Sequence, residues 1–510
     1  MPALSPDYSV YLVTDSTMVP ESSTFLRQVQ KAVENGATIV QLREKNMLTQ
    51  AFVAQARSVL EITRKHGVPL IINDRIDVAL AIDADGVHIG QDDMPAGLAR
   101  KLLGPDKILG VSCSSEAETA QVCSEAVADY VGLGTVYATQ TKNTKSVCGP
   151  IGTRRKLDVL RKHNEKNRRI ACVAIGGINQ GNVAKVLYQC QVPGQKLNGV
   201  AVVSCIMAAE DAGTATRDLV LKYQGRFSAD WTAGSRRLGA FHAKPLVHHI
   251  TNNVVKNFSA NVTLAVGGSP IMSELPAEFA EFAALAIPGS LVMNLGTPNL
   301  ELLHVLTAGL HTYNLHGKPV VFDPVGAGAS KARMDACHRL LSAGQFAVIK
   351  GNLGEIMALQ KLAQSALQPD GGDSAATMQG VDSTVEMSDE QIAAIALAVS
   401  QEYRAVVVVS GAKNTIAQAP TCGGPSRVEV VQGGHPIMGS VTGTGCSLGS
   451  TIGCFVACAS HSRCGTWQAA VDAVKFYNKA GARAANACGG PGDFSMRFLD
   501  ELAREVSAYQ

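Results

Sequence analysis

ATIVQLREK, residues 37–45, decides the reading of the first half of the chain. Ile39, Val40 and Leu42 make a short run that is apolar on both faces, as a strand inside a parallel sheet must be. Gln41, Arg43 and Lys45 alternate at its end, so all three can point to one side. On either side lie segments of helix length, SSTFLRQVQKAVENG (22–36) and QAFVAQARSVLEITRKHG (50–67). Further out the same alternation recurs. YSVYLVTD (8–15), VPLIIND (68–74), DGVHIG (85–90), KILGVSC (107–113), DYVGLG (129–134), RIACVAIGG (169–177) and NGVAVVS (198–204) complete a set of eight strands. Eight β-then-α units in about 220 residues predict a (β/α)8 TIM barrel, since a doubly wound open sheet usually carries five or six strands.

GRFSADWTAGSRRLGA, residues 225–240, breaks this alternation and is rich in Gly, Ser and Arg. It marks a domain boundary, giving a first domain over 1–225, a linker over 226–240 and a second domain over 241–510. In the second half LVHHIT (246–251), SLVMNLG (290–296), PVVFDPV (319–325), FAVIK (346–350) and RAVVVVSG (404–411) read as buried strands between helix-length segments. That predicts an α/β sandwich around a mostly parallel sheet. Residues 363–385, rich in Gln, Ser, Asp and Gly, are expected to form a surface loop.

The chain has 510 residues, enough for two large cores, and 46% are hydrophobic. A net charge of +2 gives no electrostatic case for a nucleic-acid or membrane partner. Basic clusters such as Arg154, Arg155 and Lys156 are expected on the solvated surface. The 13 cysteines show no framework spacing, and several lie in apolar runs, as in a reducing compartment. Cys454, Cys458 and Cys464 with His461 contain no CxxC pair and read as part of an apolar helix, not as a zinc site. The amino terminus lacks a basic and apolar leader pattern, and no uncharged apolar run reaches the roughly 18–20 residues of a membrane span.

The polar residues of the first half gather at strand ends, where an α/β barrel carries its chemistry. Arg43, Lys45 and Lys142 are cations suited to a diphosphate. Asp74 and Asp93 follow adjacent strands and are placed to share a magnesium ion that bridges phosphate oxygens. The glycines after the seventh strand and the backbone after the eighth match the usual barrel phosphate site. His88 reads as a satisfied core histidine.

QLREK, INDRIDVALA, DGVHIGQDD, GVSC, TQTKNTK, VAIGGI and VAVVS, in this order over residues 9–210, resemble the thiamine-phosphate synthases. The resemblance implies that hydroxymethylpyrimidine diphosphate expels pyrophosphate and is captured by the nitrogen of a thiazole phosphate. It implies pyrimidine-diphosphate contacts at Gln41, Leu42, Arg43, Glu44, Lys45, Asn73, Ser112 and Lys142. It implies thiazole-phosphate contacts at Thr139, Gln140, Thr141, Gly176, Gly177, Val203 and Ser204, with Asp74 and Asp93 on magnesium.

In the second half VTGTGCSLGSTIGCFV (441–456) runs from a Gly-rich turn straight into an apolar helix, whose first N–H groups form an anion hole. It is neither a Walker loop nor a dinucleotide fingerprint. Together with HHITNNVVKNFSANVTLAVGGSPIM (248–272), FDPVGAGAS (322–330), IKGNLGEI (349–356), GVDS (380–383), GTGC (443–446) and GPGDF (490–494), it resembles the hydroxyethylthiazole kinases, of ribokinase-like fold. The resemblance implies thiazole contacts at Met272 and Gly443, and ATP contacts at Lys350 and Ser410, where the family often has Arg and Thr. Asn352 and Glu355 are implied to organise magnesium and water around the phosphates. Cys446 stands where ribokinase-like kinases usually carry an Asp base, and the helix start is expected to depress its pKa.

The two implied activities are sequential, because the kinase makes the thiazole phosphate that the synthase consumes. Such fusions support a cytosolic setting, the resemblance implies magnesium and ATP without nucleic acid or membrane, and the trimers that thiazole kinases form imply a homo-oligomer built on trimers. The alternatives are one active domain with the other as scaffold, or a module that binds thiamine intermediates without turnover.

Overall fold

The structure is a computed structural model that describes residues 6–137, 139, 147–224, 244–296, 298–365, 387–420, 425–459 and 465–509. The chain divides into two compact units, Met1–Phe227 and Ser228–Gln510. The expected linker and most of the expected 363–385 loop lie outside the described residues, and residues 363–365 continue the helix Leu353–Ser365.

The first unit is a closed barrel of eight parallel strands. In chain order these are β1 (Val10–Val13), β2 (Ile39–Leu42), β3 (Leu70–Asn73), β4 (Gly86–Ile89), β5 (Ile108–Cys113), β6 (Tyr130–Leu133), β7 (Ala171–Ile175) and, after a small antiparallel ladder of β8 (Gln191–Val192) and β9 (Gln195–Lys196), β10 (Gly199–Val202). β10 closes on β1, pairing Tyr11 with Ala201. Each strand alternates between two cores, which is why it reads as a continuous apolar run. Val10, Leu12, Val40, Leu42, Leu70 and Ile72 belong to the layer under the helices. Tyr11, Val13, Ile39, Ile71, Tyr130, Val173 and Ala201 fill the barrel interior. Each fully buried aliphatic side chain stabilises by roughly 1.5–3 kcal/mol relative to exposure.

The second unit is an α/β sandwich around one mixed sheet of eight strands. Its strands are β11 (Leu246–Ile250), β12 (Ser269–Ile271), β13 (Gly289–Asn294), β14 (Val320–Asp323), β15 (Val348–Asn352), β16 (Val406–Ser410), β17 (Lys413–Gln418) and β18 (Arg427–Gln432). They lie in the order β12-β11-β13-β14-β15-β16-β17-β18. The first six pair in parallel, and β17 runs antiparallel between β16 and β18. A Cβ built on Gly453, in the helix Thr444–Ala459, would fall 2.7 Å from Val292 and 3.1 Å from Val247. One on Gly309, in the helix Leu300–Leu315, would fall 2.7 Å from Ile250 and 3.3 Å from Leu291. Leu291 and Val292 are neighbours in β13, so the two helices cover opposite faces of the sheet. Glycine at 453 lets the first helix sit close enough for Ser290 Oγ to donate to Gly453 O at 2.8 Å.

Three strands go beyond the five expected. β12 is a three-residue edge strand containing Pro270, and β17 and β18 form the opposite edge with mixed polar and apolar positions, so none is a long apolar run. Among the described residues no helix is long and apolar enough to cross a membrane.

Candidate active sites

In the barrel, Gln41, Arg43, Asn73, His88 and Ser112 line one cleft, with Tyr11 and Tyr130 at its floor. A chain of hydrogen bonds runs through it. Gln41 Nε2 donates to Tyr11 Oη at 2.8 Å, and Tyr11 and Tyr130 share a bond of 2.6 Å between their hydroxyls. His88 bridges Tyr130 Oη (2.9 Å, Nδ1) and Ser112 Oγ (2.8 Å, Nε2). His88 is therefore satisfied, as expected, but it is half-buried in the cleft wall and not in the core. Burial pushes the Tyr11 and Tyr130 phenols well above their ordinary range, so both keep their protons.

Asp74 follows β3 with φ of 61°, in the left-handed region. Burial, then the hydrogen bond and charge of Asp93, raise its carboxyl to about 6, while Lys45 opposes the shift. Asp93 Oδ2 also accepts Gly90 N at 2.6 Å. Two carboxylates this close, one pushed toward its neutral form, fit a divalent cation that would relieve their repulsion. Lys45 is exposed and Arg43 half-buried.

The remaining expected contacts divide. Leu42 is fully buried under the helices, so only its backbone can reach a ligand. Glu44 accepts Ser16 Oγ at 2.8 Å and Gln55 Nε2 at 3.4 Å. Gly176 and Gly177 have φ of 108° and 63°, and Tyr137 N donates to Gly176 O at 3.0 Å. Val203 and Ser204 begin the short helix Ser204–Met207, with Ser204 exposed. Thr139 is half-buried, whereas Gln140, Thr141 and Lys142 lie outside the described residues.

Two cations expected at the surface are not there. Arg154 and Lys156 are buried on the helix Gly149–Asn164, and Lys156 is 1% exposed. Lys156 Nζ donates to Gly134 O at 2.8 Å and to Cys113 O and Ser114 O at 3.4 Å each. The ammonium thus ties the ends of β5 and β6 together, using carbonyls far away in the chain.

In the second unit, β13, β14, β15 and β16 end in Asn294, Asp323, Asn352 and Ser410. Asp323 Oδ2 accepts Lys350 Nζ at 3.0 Å and Asn294 Nδ2 at 3.1 Å. Asn294 Nδ2 also reaches Cys446 Sγ at 3.4 Å, and Lys350 Nζ donates to Gly445 O at 2.8 Å. Glu355 accepts Gly326 N and Asn352 N, each at 2.8 Å. Burial and the charge of Asp323 raise Glu355 to about 7. Asp323 Oδ1 is buried with no hydrogen-bond partner, an orphaned oxygen that fits a cation accompanying phosphate groups. Gly443, with φ of 96°, turns the chain into the helix Thr444–Ala459, and Met272 sits half-buried just after β12.

The expected depression of Cys446 is reversed. Burial, then the negative charge of Asp323, push its thiol up to about 12, outweighing Lys350 and Asn294. The helix start does not compensate for a buried carboxylate beside it. Lys350 itself is sealed beneath the cradle, so any phosphate contact is made from a buried ammonium already paired with Asp323. Asp323, Asn294, Tyr11 and Tyr130 were not picked out by the sequence. The first two do end apolar strand runs, a signal that could have found them.

Among the described residues no three His, Cys, Asp or Glu side chains are grouped as for a metal ion. Cys454 and Cys458 are buried in a helix, and His461, Cys464 and the GVDS segment lie outside the described residues.

Two family models match the chain, Hydroxyethylthiazole kinase family over residues 240–507 and Thiamine monophosphate synthase over residues 10–206. The chain is 41% identical to the thiamine biosynthetic bifunctional enzyme of Saccharomyces cerevisiae, over 97% of this chain and 95% of that protein. It is 39% identical to the probable thiamine biosynthetic bifunctional enzyme of Schizosaccharomyces pombe, over 98% and 95%. Its first unit is 46% identical to the thiamine-phosphate synthase of Clostridium novyi, over 42% of this chain and 97% of that one.

Proposed function

Because this chain belongs to the bifunctional thiamine biosynthetic enzymes, which unite thiamine-phosphate synthase with hydroxyethylthiazole kinase, we propose that each strand-end cluster serves one of the two reactions. The second unit phosphorylates 5-(2-hydroxyethyl)-4-methylthiazole with ATP. The first joins the product to 4-amino-2-methyl-5-(diphosphooxymethyl)pyrimidine, giving thiamine phosphate and pyrophosphate.

In the barrel the bond between the pyrimidine methylene and the diphosphate oxygen breaks, and its electron pair leaves with pyrophosphate. The thiazole nitrogen then supplies the pair for the new carbon–nitrogen bond. Arg43, Lys45 and Lys142 hold the departing charge, and Gln41, Asn73 and Ser112 hold the ring. The backbone at Gly176, Gly177, Val203 and Ser204, with Thr139, Gln140 and Thr141, holds the thiazole phosphate.

In the kinase, Met272 and Gly443 position the thiazole, Ser410 faces the nucleotide, and Lys350 serves it from its buried place beside Asp323. The helix start at Gly443–Cys446 receives the phosphoryl group in transfer. Cys446 lies where the substrate hydroxyl must give up its proton, with Asp323 behind it. When bound, magnesium would be held by Asp74 and Asp93 in the barrel and organised by Asn352 and Glu355 in the kinase, where it neutralises phosphate charge.

The observation that carries this reading is the Asp74–Asp93 carboxylate pair, within the field of Lys45 at the strand ends of the cleft. A mass-spectrometric product assay tests it. Protein given thiazole alcohol, ATP, magnesium and pyrimidine diphosphate forms thiamine phosphate. Omitting ATP stops synthesis unless thiazole phosphate is supplied. Formation of thiazole phosphate alone would remove the synthase.

The enzyme is proposed to be cytosolic and a homo-oligomer built on trimers. The described cysteines are all free thiols, which supports the compartment. A trimer-based mass by light scattering is the expected result.

A further inference from the structure

The cleft contains more hydrogen-bonding order than two substrate contacts need. Gln41 and Ser112 stand on β2 and β5, and β3 and β4 lie between them. They are nonetheless joined through the barrel interior by Tyr11, Tyr130 and His88, with every link between 2.6 and 2.9 Å. β1 and β6 are not neighbours in the barrel, so the bond between Tyr11 and Tyr130 crosses its inside. Room for this crossing is made at Gly110 in β5. A Cβ there would fall 2.1 Å from Tyr130 Cζ and 2.4 Å from its hydroxyl.

Such a chain has a direction. Gln41 donates an amide N–H to Tyr11, which leaves the buried Tyr11 O–H to donate to Tyr130. With Tyr130 donating to Nδ1 of His88 and Nε2–H donating to Ser112 Oγ, every proton along the line has an acceptor. The far ends are thereby set together. Gln41 keeps its amide oxygen to accept, and Ser112 keeps its hydroxyl proton to give. Both phenols retain their protons, as such a chain requires. Reversing it would turn over the buried amide and shift every proton along the line.

We propose that Tyr11, Tyr130 and His88 are positioning residues that couple Gln41 to Ser112, so that the synthase reads its pyrimidine by donor–acceptor pattern. Gln41 Oε1 accepts from the exocyclic amine and Ser112 donates to a ring nitrogen. A pyrimidine with an oxo group in place of the amine meets the Gln41 carbonyl with another carbonyl and is rejected. The inference rests on the synthase reading and extends it to residues that never touch the reacting carbon.

The test is binding, not turnover. Calorimetry with the full chain and magnesium compares the 4-amino and 4-oxo forms of 2-methyl-5-(phosphooxymethyl)pyrimidine, monophosphates with no diphosphate to expel. The wild-type protein should favour the amino form on the order of 100-fold, because a buried acceptor facing an acceptor is left unpaired. Tyr130→Phe removes only the central hydroxyl and frees Gln41 to turn over. The ratio should then fall below about 10-fold, with most of the change in the oxo form. Tyr11→Phe provides the same readout if Tyr130→Phe does not fold. Equal weakening of both ligands in the folded variants would make the chain merely structural, and equal wild-type affinity for the two forms would also overturn the inference. Binding of neither form by the wild-type protein would reject the synthase reading itself.

Discussion

Lys350 Nζ lies 3.0 Å from Asp323 Oδ2, and their side chains are only 4% and 1% exposed. Breaking such a pair from one side leaves a charge with neither water nor partner, typically at about 3–5 kcal/mol. Lys350→Met should therefore lower the melting temperature of the kinase unit by roughly 6–20 °C, at about 2–4 °C per kcal/mol for a unit this size. The double variant Lys350→Met, Asp323→Leu should recover much of that loss and remain without kinase activity. Differential scanning calorimetry reads both. A single variant melting like the wild type would mean that Asp323 finds another counter-charge.

Cys446 is held as a thiol, because burial and Asp323 push it up to about 12. Below that value the thiolate fraction rises tenfold per pH unit. If the thiolate takes the substrate proton, kinase turnover should climb steadily from pH 7 to 9 without a plateau. General-base help is worth about 10²–10⁴-fold, so Cys446→Ala should lose turnover toward that range and show a flatter pH profile. Cys446→Asp, which restores the usual carboxylate, should retain activity. Steady-state ADP release is the measurement. An unchanged profile in Cys446→Ala would reduce the residue to packing and leave the helix start as the main catalyst.

What was legible in the sequence follows from where the partners lie. The eight barrel strands were visible because a parallel strand buried on both faces is an apolar run closed by polar residues, as in IVQL followed by Arg43. The β17–β18 edge has no such run and was missed. Lys156 was misread because its acceptor Gly134 lies 22 residues upstream, across a helix turn that puts Arg155 and Lys156 at different depths. The bond between Tyr11 and Tyr130 spans 119 residues, and nothing local to either tyrosine announces it. The Cys446 shift goes the opposite way to expectation because the thiol is buried and, second, because Asp323 comes to it from another strand end, neither of which a helix-start argument contains.

His249 is fully buried, its Nδ1–H donates to Val247 O and its Nε2 accepts from Ser450 Oγ (3.0 Å each), and burial lowers its pKa to about 3. His248 and His311 are shifted in the same direction by the same cause. An unfolded histidine takes a proton near 6.5, and folded His249 does not until about 3, so the unfolded chain binds more protons in between. The stability contribution is intact above 6.5 and is lost as pH falls toward 3. At pH 5 this one residue costs about 2 kcal/mol. The kinase unit should melt several degrees lower at pH 5 than at pH 7. His249→Gln should shrink that difference, whatever its effect at pH 7. An equal drop in the variant would assign the acid sensitivity to other groups.

Asp74 and Asp93 meet beyond the ends of the adjacent strands β3 and β4, and each is fixed by something other than a cation. Asp74 sits on a left-handed backbone, and Asp93 is anchored by Gly90 N at 2.6 Å. Asparagine is the informative replacement for both. It keeps the hydrogen-bonding shape, and it tolerates the left-handed region at 74 better than most residues. Asp74 is raised by burial first and by Asp93 second; replacing Asp74 removes the buried charge and replacing Asp93 the repulsion, so neither variant should lose stability. What it removes is a magnesium ligand, and with it the neutralisation of a departing pyrophosphate. Asp93→Asn and Asp74→Asn should each raise the magnesium needed for half-maximal synthase rate by about 10–100-fold. Kinase turnover, measured as ADP release in the same preparations, should stay at the wild-type level, because no residue of the second cluster is touched. Magnesium titrations of thiamine phosphate formation decide the matter. An unshifted titration with a reduced maximal rate would show that the pair orders the cleft without binding the ion. Equal loss of both activities in a folded variant would defeat the assignment of this site to one reaction.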